Sequence, residues 1–84
     1  MNVIIVFDIS DDIQRTKLTQ ELFRYAIRTQ KSVFEAQVTK KELKNLKQIV
    51  NRYSNGDDKV NLYEFTDVKR FGDVLFIDND SLIY

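Results

Sequence analysis

The chain has 84 residues, 43% of them apolar, with 13 basic and 13 acidic side chains and no histidine, cysteine, proline or tryptophan. That length fits one small domain, which without disulfides must be held together by packing, extended by a partner subunit. The missing histidine excludes an imidazole general base, a serine–histidine triad, histidine-pair ribonuclease chemistry and zinc-finger ligation.

In chain order, Val3-Ile4-Ile5-Val6-Phe7 is continuous and mostly β-branched, the pattern of a strand covered on both faces, and it delivers Asp8 to its end. Ser10 is placed to cap a helix whose first turn would hold Asp11 and Asp12, where carboxylates meet free amides and the positive helix end. Ile13, Leu18, Leu22, Tyr25 and Ala26 recur at helical spacing, which predicts a helix over about 11 to 26. Further on, Ser32, Phe34, Ala36 and Val38 alternate with Val33, Glu35 and Gln37, the period of a strand with one covered face. Residues 27 to 38 suit either one bent strand or two short strands around a tight reversal, and periodicity does not decide between them.

Thr39 and Glu42 form a capping box, and Leu43, Leu46, Ile49, Val50 and Tyr53 make the apolar stripe of a second helix. Lys40, Lys41, Lys44 and Lys47 belong to its exposed side. Ser54 to Asp58 is a loop. Lys59 to Phe65 alternates again, with Val60 and Leu62 on one pleat face and Tyr63 and Phe65 on the other. Val74 to Ile77 is a last strand, too apolar for a free edge, so burial against a second subunit is expected there and for the Leu82-Ile83-Tyr84 tail. The order predicts an α+β sandwich with two helices on one face of an antiparallel sheet. No 18-residue apolar run or basic-apolar leader is present, so a cytoplasmic protein without membrane association is expected.

The neutral total hides an asymmetry. Residues 13 to 52 carry ten bases against three acids, a balance of +7, whereas residues 53 to 84 carry three bases against seven acids, or −4. A cationic face on a neutral protein follows, unless these charges are ordinary solvated helix surface.

Asp8 can reach solvent while its backbone is held by the sheet. One carboxylate is a weak site for Mg²⁺, or for Mn²⁺ in its place, but two copies meeting across a symmetry axis would each donate a ligand. Such a pair suits metal-dependent phosphodiester cleavage. Otherwise Asp8 is a turn-forming strand terminator, and Asp11 and Asp12 simply stabilise the first helical turn. Arg15, one turn on, can meet a phosphate or those acids. Arg28, Lys31 and Ser32 can position a duplex by its backbone without reading bases, and Lys40, Lys44 and Lys47 extend the same cationic surface. Phe34 reads as a core or dimer-interface residue.

Val3 through Asp12, then Arg15 and Lys17, then Tyr25, Arg28, Gln30 and Lys31-Ser32-Val33-Phe34-Glu35 resemble the CRISPR-associated protein 2 family across most of residues 1 to 46. The resemblance implies a ferredoxin-like βαββαβ homodimer, a single domain over 1–84 whose residues 73–84 form a strand and tail exchanged with the neighbour. Phe34, Val74, Leu75, Phe76 and Ile77 would then line the dimer interface. It also implies that Asp8 lies near the two-fold axis and serves Mg²⁺-dependent hydrolysis of RNA or double-stranded DNA, with Arg15, Arg28 and Ser32 around it and Lys17 among the nucleic-acid contacts. Such proteins bridge two dimers of the CRISPR-associated integrase on DNA, so the expected function is that of an adaptation protein with endonuclease potential. The alternatives are a purely architectural DNA-binding homodimer and a toxin-like ribonuclease acting on single-stranded RNA. Two departures stand out. Ala26 replaces a common glycine and favours a longer helix, and Gln14 and Thr16 stand where a second arginine is frequent beside Arg15.

Overall fold

A β-branched run can satisfy its backbone only between two other strands, and Asn2–Asp8 (β1) occupies that central place. The structure, a computed structural model, describes residues 1–65 in full and, beyond them, the backbone of three strands. The elements are β1, α1 (Asp12–Leu22), β2 (Ile27–Gln30), β3 (Val33–Gln37), α2 (Lys40–Tyr53), β4 (Lys59–Phe65), β5 (Asp67–Phe71), β6 (Val74–Asp78) and β7 (Ser81–Leu82). The main sheet runs β2-β3-β1-β4-β7, with β1 antiparallel to both β3 and β4. The first four strands and two helices form the expected ferredoxin-like βαββαβ topology. β5 and β6 pair in a separate antiparallel ribbon.

Register sets which side chains share a face. Ile5 lies opposite Phe34 on one side and Leu62 on the other. Val3, Ile5 and Phe7 therefore join Phe34, Ala36, Val60 and Leu62 beneath the helices, where Leu18 and Leu22 of α1 meet Leu43, Leu46, Ile49, Val50 and Tyr53 of α2. Each such aliphatic side chain contributes roughly 1.5–3 kcal/mol on burial. Ile4 points the other way and is also fully buried, so β1 is covered on both faces as its sequence requires. Phe34 packs with Phe7 at 6.0 Å and edge-on to Phe23 at 5.1 Å. It is fully buried in its own chain on the helix side, which corrects the expectation that it lines a dimer interface.

Residues 27 to 38 resolve into two strands. A turn at Lys31-Ser32 joins β2 to β3, and the register slips between Arg28 and Gln30. α1 starts and stops differently from its pattern. The cap is Asp11, whose Oδ1 accepts from the Ile13 amide at 2.8 Å, while Ser10 is turned towards Asp58. Ile13 is correspondingly exposed. The helix ends at Leu22 because its hydrogen bonds tighten to the i−3 carbonyl: Arg24 donates to Glu21 and Tyr25 to Leu22. Ala26 remains buried but outside the helix, where the chain turns to enter β2.

α2 follows its sequence closely. Glu42 donates no proton but accepts the Thr39 amide at 3.0 Å, and Thr39 Oγ1 accepts the Glu42 amide at 3.2 Å. Gly56 takes φ +59° in the loop that follows, a conformation glycine adopts without strain. At the far end, burial beside the Glu21 carboxylate pushes the Tyr53 hydroxyl above its ordinary pKa, and Arg52 spans 2.7 Å to Glu21 to tie α2 to α1. β6 falls where the last apolar run predicts a strand, whereas β5 and β7 carry no such signal. The side chains of Val74, Leu75, Phe76 and Ile77 lie outside the described residues.

The capping box has a measurable signature. The Thr39 amide and then the Thr39 hydroxyl hold the Glu42 carboxyl below its usual pKa. A depressed folded-state pKa stabilises above the unfolded value and loses that effect as pH falls through the folded one. Urea midpoints across the acid range should fall less steeply for Glu42→Gln than for the parent, and Thr39→Ala should cost about 0.5–2 kcal/mol near neutrality. Equal acid slopes would show that the carboxylate contributes nothing.

Candidate nucleic-acid interface and the Asp8 end of the sheet

Topology separates the sequence-predicted site residues into two groups. β1 ends at Asp8, which lies exposed opposite Lys59 of β4. β3 begins at the same end, where the Phe7 amide donates to the Ser32 carbonyl at 3.1 Å. Asp8, Lys31, Ser32 and Lys59 are thus brought together, and Arg28 reaches towards them by donating twice to the Lys31 carbonyl at 3.1 and 2.6 Å. The Arg28 guanidinium also lies 5.9 Å from the centre of the Phe34 ring.

The acids around Asp8 have local roles. Asp11 caps α1, and Asp12 pairs with Arg15. Arg15 also donates to the Ile9 carbonyl at 2.8 Å, so its guanidinium braces the turn that follows Asp8. Asp58 Oδ1 accepts both the Ser10 amide at 3.1 Å and the Ser10 hydroxyl at 3.2 Å, clasping the β1–α1 turn to the α2–β4 loop. No sequence signal could reveal this clasp, since its partners lie 48 residues apart. Among the described residues no group of three or more His, Cys, Asp or Glu side chains is placed to hold a metal ion. Asp8 is thus not joined by two further described acids placed to hold an ion, and one carboxylate does not amount to a site for a hard cation such as Mg²⁺ or Mn²⁺.

The second group is the row on α2. Val38 donates to the Met1 carbonyl at 2.9 Å, so α2 begins beside the end of β1 remote from Asp8. Six strand rises separate the two ends by about 20 Å. Lys40, Lys41 and Lys44 are exposed and Lys47 is half-buried, all on the flank opposite the buried Leu43, Leu46, Ile49 and Val50. The sole acid of α2, Glu42, is engaged by Thr39, and none of the four lysines pairs with a described acid. Lys17 is exposed on α1. The result is a cationic helical surface whose charge is available to a polyanion.

The chain matches the family model for CRISPR associated protein Cas2 over residues 1–72. It is 34% identical over 68 residues to proteins from two strains of Mycobacterium tuberculosis named CRISPR-associated endoribonuclease Cas2, a match covering 81% of this chain and 60% of each relative. The chain thus spans under two thirds of the length of those relatives. Among solved structures it resembles a hypothetical protein from Thermus thermophilus, with TM-score 0.76 and 28% identity over 92% of this chain and 96% of the other. A structure described as that of cas2 matches with TM-score 0.71 and 29% identity, covering 86% of each chain.

The Ser10–Asp58 clasp can be tested apart from any function. Each of Ser10→Ala and Asp58→Ala should lower unfolding free energy by about 0.5–1.5 kcal/mol, and the double variant should cost less than the two summed. Strict additivity in urea denaturation would show that the two side chains act independently.

Proposed function

The chain belongs to the CRISPR associated protein Cas2 family, and from that premise we propose that it is an architectural adaptation protein, a homodimer that holds duplex DNA against its helical faces and bridges integrase dimers on it. The row of Lys40, Lys41, Lys44 and Lys47 on the solvent flank of α2 carries this reading. Lysines on a rigid helix, paired with no described acid, offer point charges to successive phosphates and release counterions on binding. They read no bases, which suits a protein that must accept many sequences. Lys17 on α1 adds to that surface, and Lys31 with Ser32 supplies a further cation and hydroxyl at the Asp8 end. In the homodimer, residues 73–84, of which β7 here pairs with β4 of its own chain, would be the segment exchanged with the neighbour, so that the same pairing forms between subunits.

A second reading rests on Asp8 and on the name endoribonuclease borne by the Mycobacterium tuberculosis relatives. In it the Asp8 side chains of two subunits would share Mg²⁺, which when bound supplies charge neutralisation at a phosphodiester and a more acidic water. The acids nearest Asp8 in its own chain are engaged elsewhere, so no hydrolytic step can be assigned to this chain's residues. The architectural reading is therefore preferred, for RNA as well as for DNA.

Three measurements separate these accounts. Reversing Lys40, Lys44 and Lys47 together to glutamate should weaken duplex binding by more than tenfold at low salt and flatten its dependence on salt concentration. An unchanged salt slope would place the DNA elsewhere. Asp8→Asn should leave duplex affinity within about twofold of the parent; abolition of Mg²⁺-dependent cleavage of RNA or duplex DNA by that variant, with dimer mass retained, would instead establish the nuclease. Removal of residues 73–84 should convert the dimer to monomer in light scattering, and a persistent dimer would reject the exchanged segment.

A further inference from the structure

The turn between α1 and β2 carries a feature that the duplex reading does not use. Phe23 follows the last residue of α1 and is 54% exposed, unusual for a phenylalanine, although its ring is steadied edge-on by the buried Phe34 at 5.1 Å. Arg24 places its guanidinium 5.8 Å from the centre of the Tyr25 ring, and Arg28 does the same over Phe34. Beside these rings lies an open cavity of about 440 Å³, lined by Phe23, Tyr25, Ala26 and Ile27 together with polar groups that include Asn2 and Gln37. That volume falls within the roughly 300–1,000 Å³ of small-ligand sites.

From this arrangement we infer that the α1–β2 turn is a binding site for an unpaired base of single-stranded nucleic acid, stacked on Phe23. Charge distribution favours a base over a free phosphate. Among the described residues no basic side chain lines the cavity, so a free phosphate meets no cation inside it, whereas Arg24, between the lining residues Phe23 and Tyr25, can meet the sugar-phosphate chain outside. Asn2 and Gln37 bring amides, each both donor and acceptor, to the edge of any base. Gln37 is also three residues before Lys40, so the cavity adjoins the start of the lysine row at the end of the sheet remote from Asp8. A strand leaving a duplex held along α2 would reach it directly. The inference rests on the nucleic-acid reading of α2, and it adds a single-stranded ligand to it.

The chain contains no tryptophan, so Phe23→Trp keeps a large aromatic ring at the site and installs the sole indole fluorophore. Adding a short oligodeoxyuridylate or oligouridylate should quench that fluorescence saturably, while a blunt duplex should not; because the two share one base, quenching by one oligomer alone identifies the sugar preferred. Phe23→Ala should lower affinity for the single strand about tenfold, as loss of one base–aromatic stack does, and leave blunt-duplex affinity within about twofold. No quenching by either oligomer, or equal quenching by the blunt duplex, would overturn the proposal. So would loss of the dimer in light scattering for Phe23→Ala, which would make Phe23 a subunit contact. Failure of the Lys40, Lys44 and Lys47 reversal to weaken duplex binding, with quenching by single strands intact, would instead refute the duplex reading alone.

Discussion

The double burial of β1 is the constraint from which the rest of this structure follows. Ile4 and Ile5 are neighbours with opposite-facing side chains, and both are removed from solvent, so β1 can neither slip by one residue nor move to an edge without exposing one of them. With β3 and β4 hydrogen-bonded along both sides, its two ends become fixed reference points. Asp8 is held at one end. Met1, through its backbone contacts with Val38, sets where α2 begins at the other.

Two chemical regions therefore sit apart by construction. At the Asp8 end, hydrogen bonding engages most of the polar groups locally: Asp11 with amides of α1, Asp12 with Arg15, and Asp58 with Ser10. These contacts give a well-defined turn and leave Asp8 as an isolated exposed acid. Along α2 the opposite holds, because the buried stripe fixes the helix while its lysines remain unpaired by described acids. A rigid scaffold bearing free cations is suited to binding a polyanion, and a lone carboxylate is poorly suited to catalysis without a second one. The family relationship accommodates both, and the distribution of engaged and free charge favours the architectural role.

What the sequence reveals follows how local the determining interactions are. α2 is legible from end to end because Thr39 and Glu42 lie one turn apart and its apolar stripe is periodic. Its companion α1 is less so: three polar residues, Ser10, Asp11 and Asp12, compete for the cap, and only the distant Asp58 decides by engaging Ser10. The end of α1 was equally hidden, since Tyr25 and Ala26 continue the helical spacing after the backbone has turned away to form β2. Periodicity also could not divide residues 27 to 38, because the register slip beside Gln30 breaks the alternation that would mark two strands. Asp8, Lys31 and Ser32 do share one end as the resemblance implied, but only strand order reveals that Lys40 lies at the other.

The claim that nucleic acid is held by α2, away from Asp8, is most directly tested by footprinting lysine reactivity. Acylation of the free protein and of its complex with a duplex, read residue by residue by mass spectrometry, should show strong protection of Lys40, Lys41 and Lys44 and little change at Lys59 beside Asp8. Protection confined to Lys31 and Lys59, with the α2 lysines as reactive as in the free protein, would contradict the account and move the nucleic acid to the acidic end of β1.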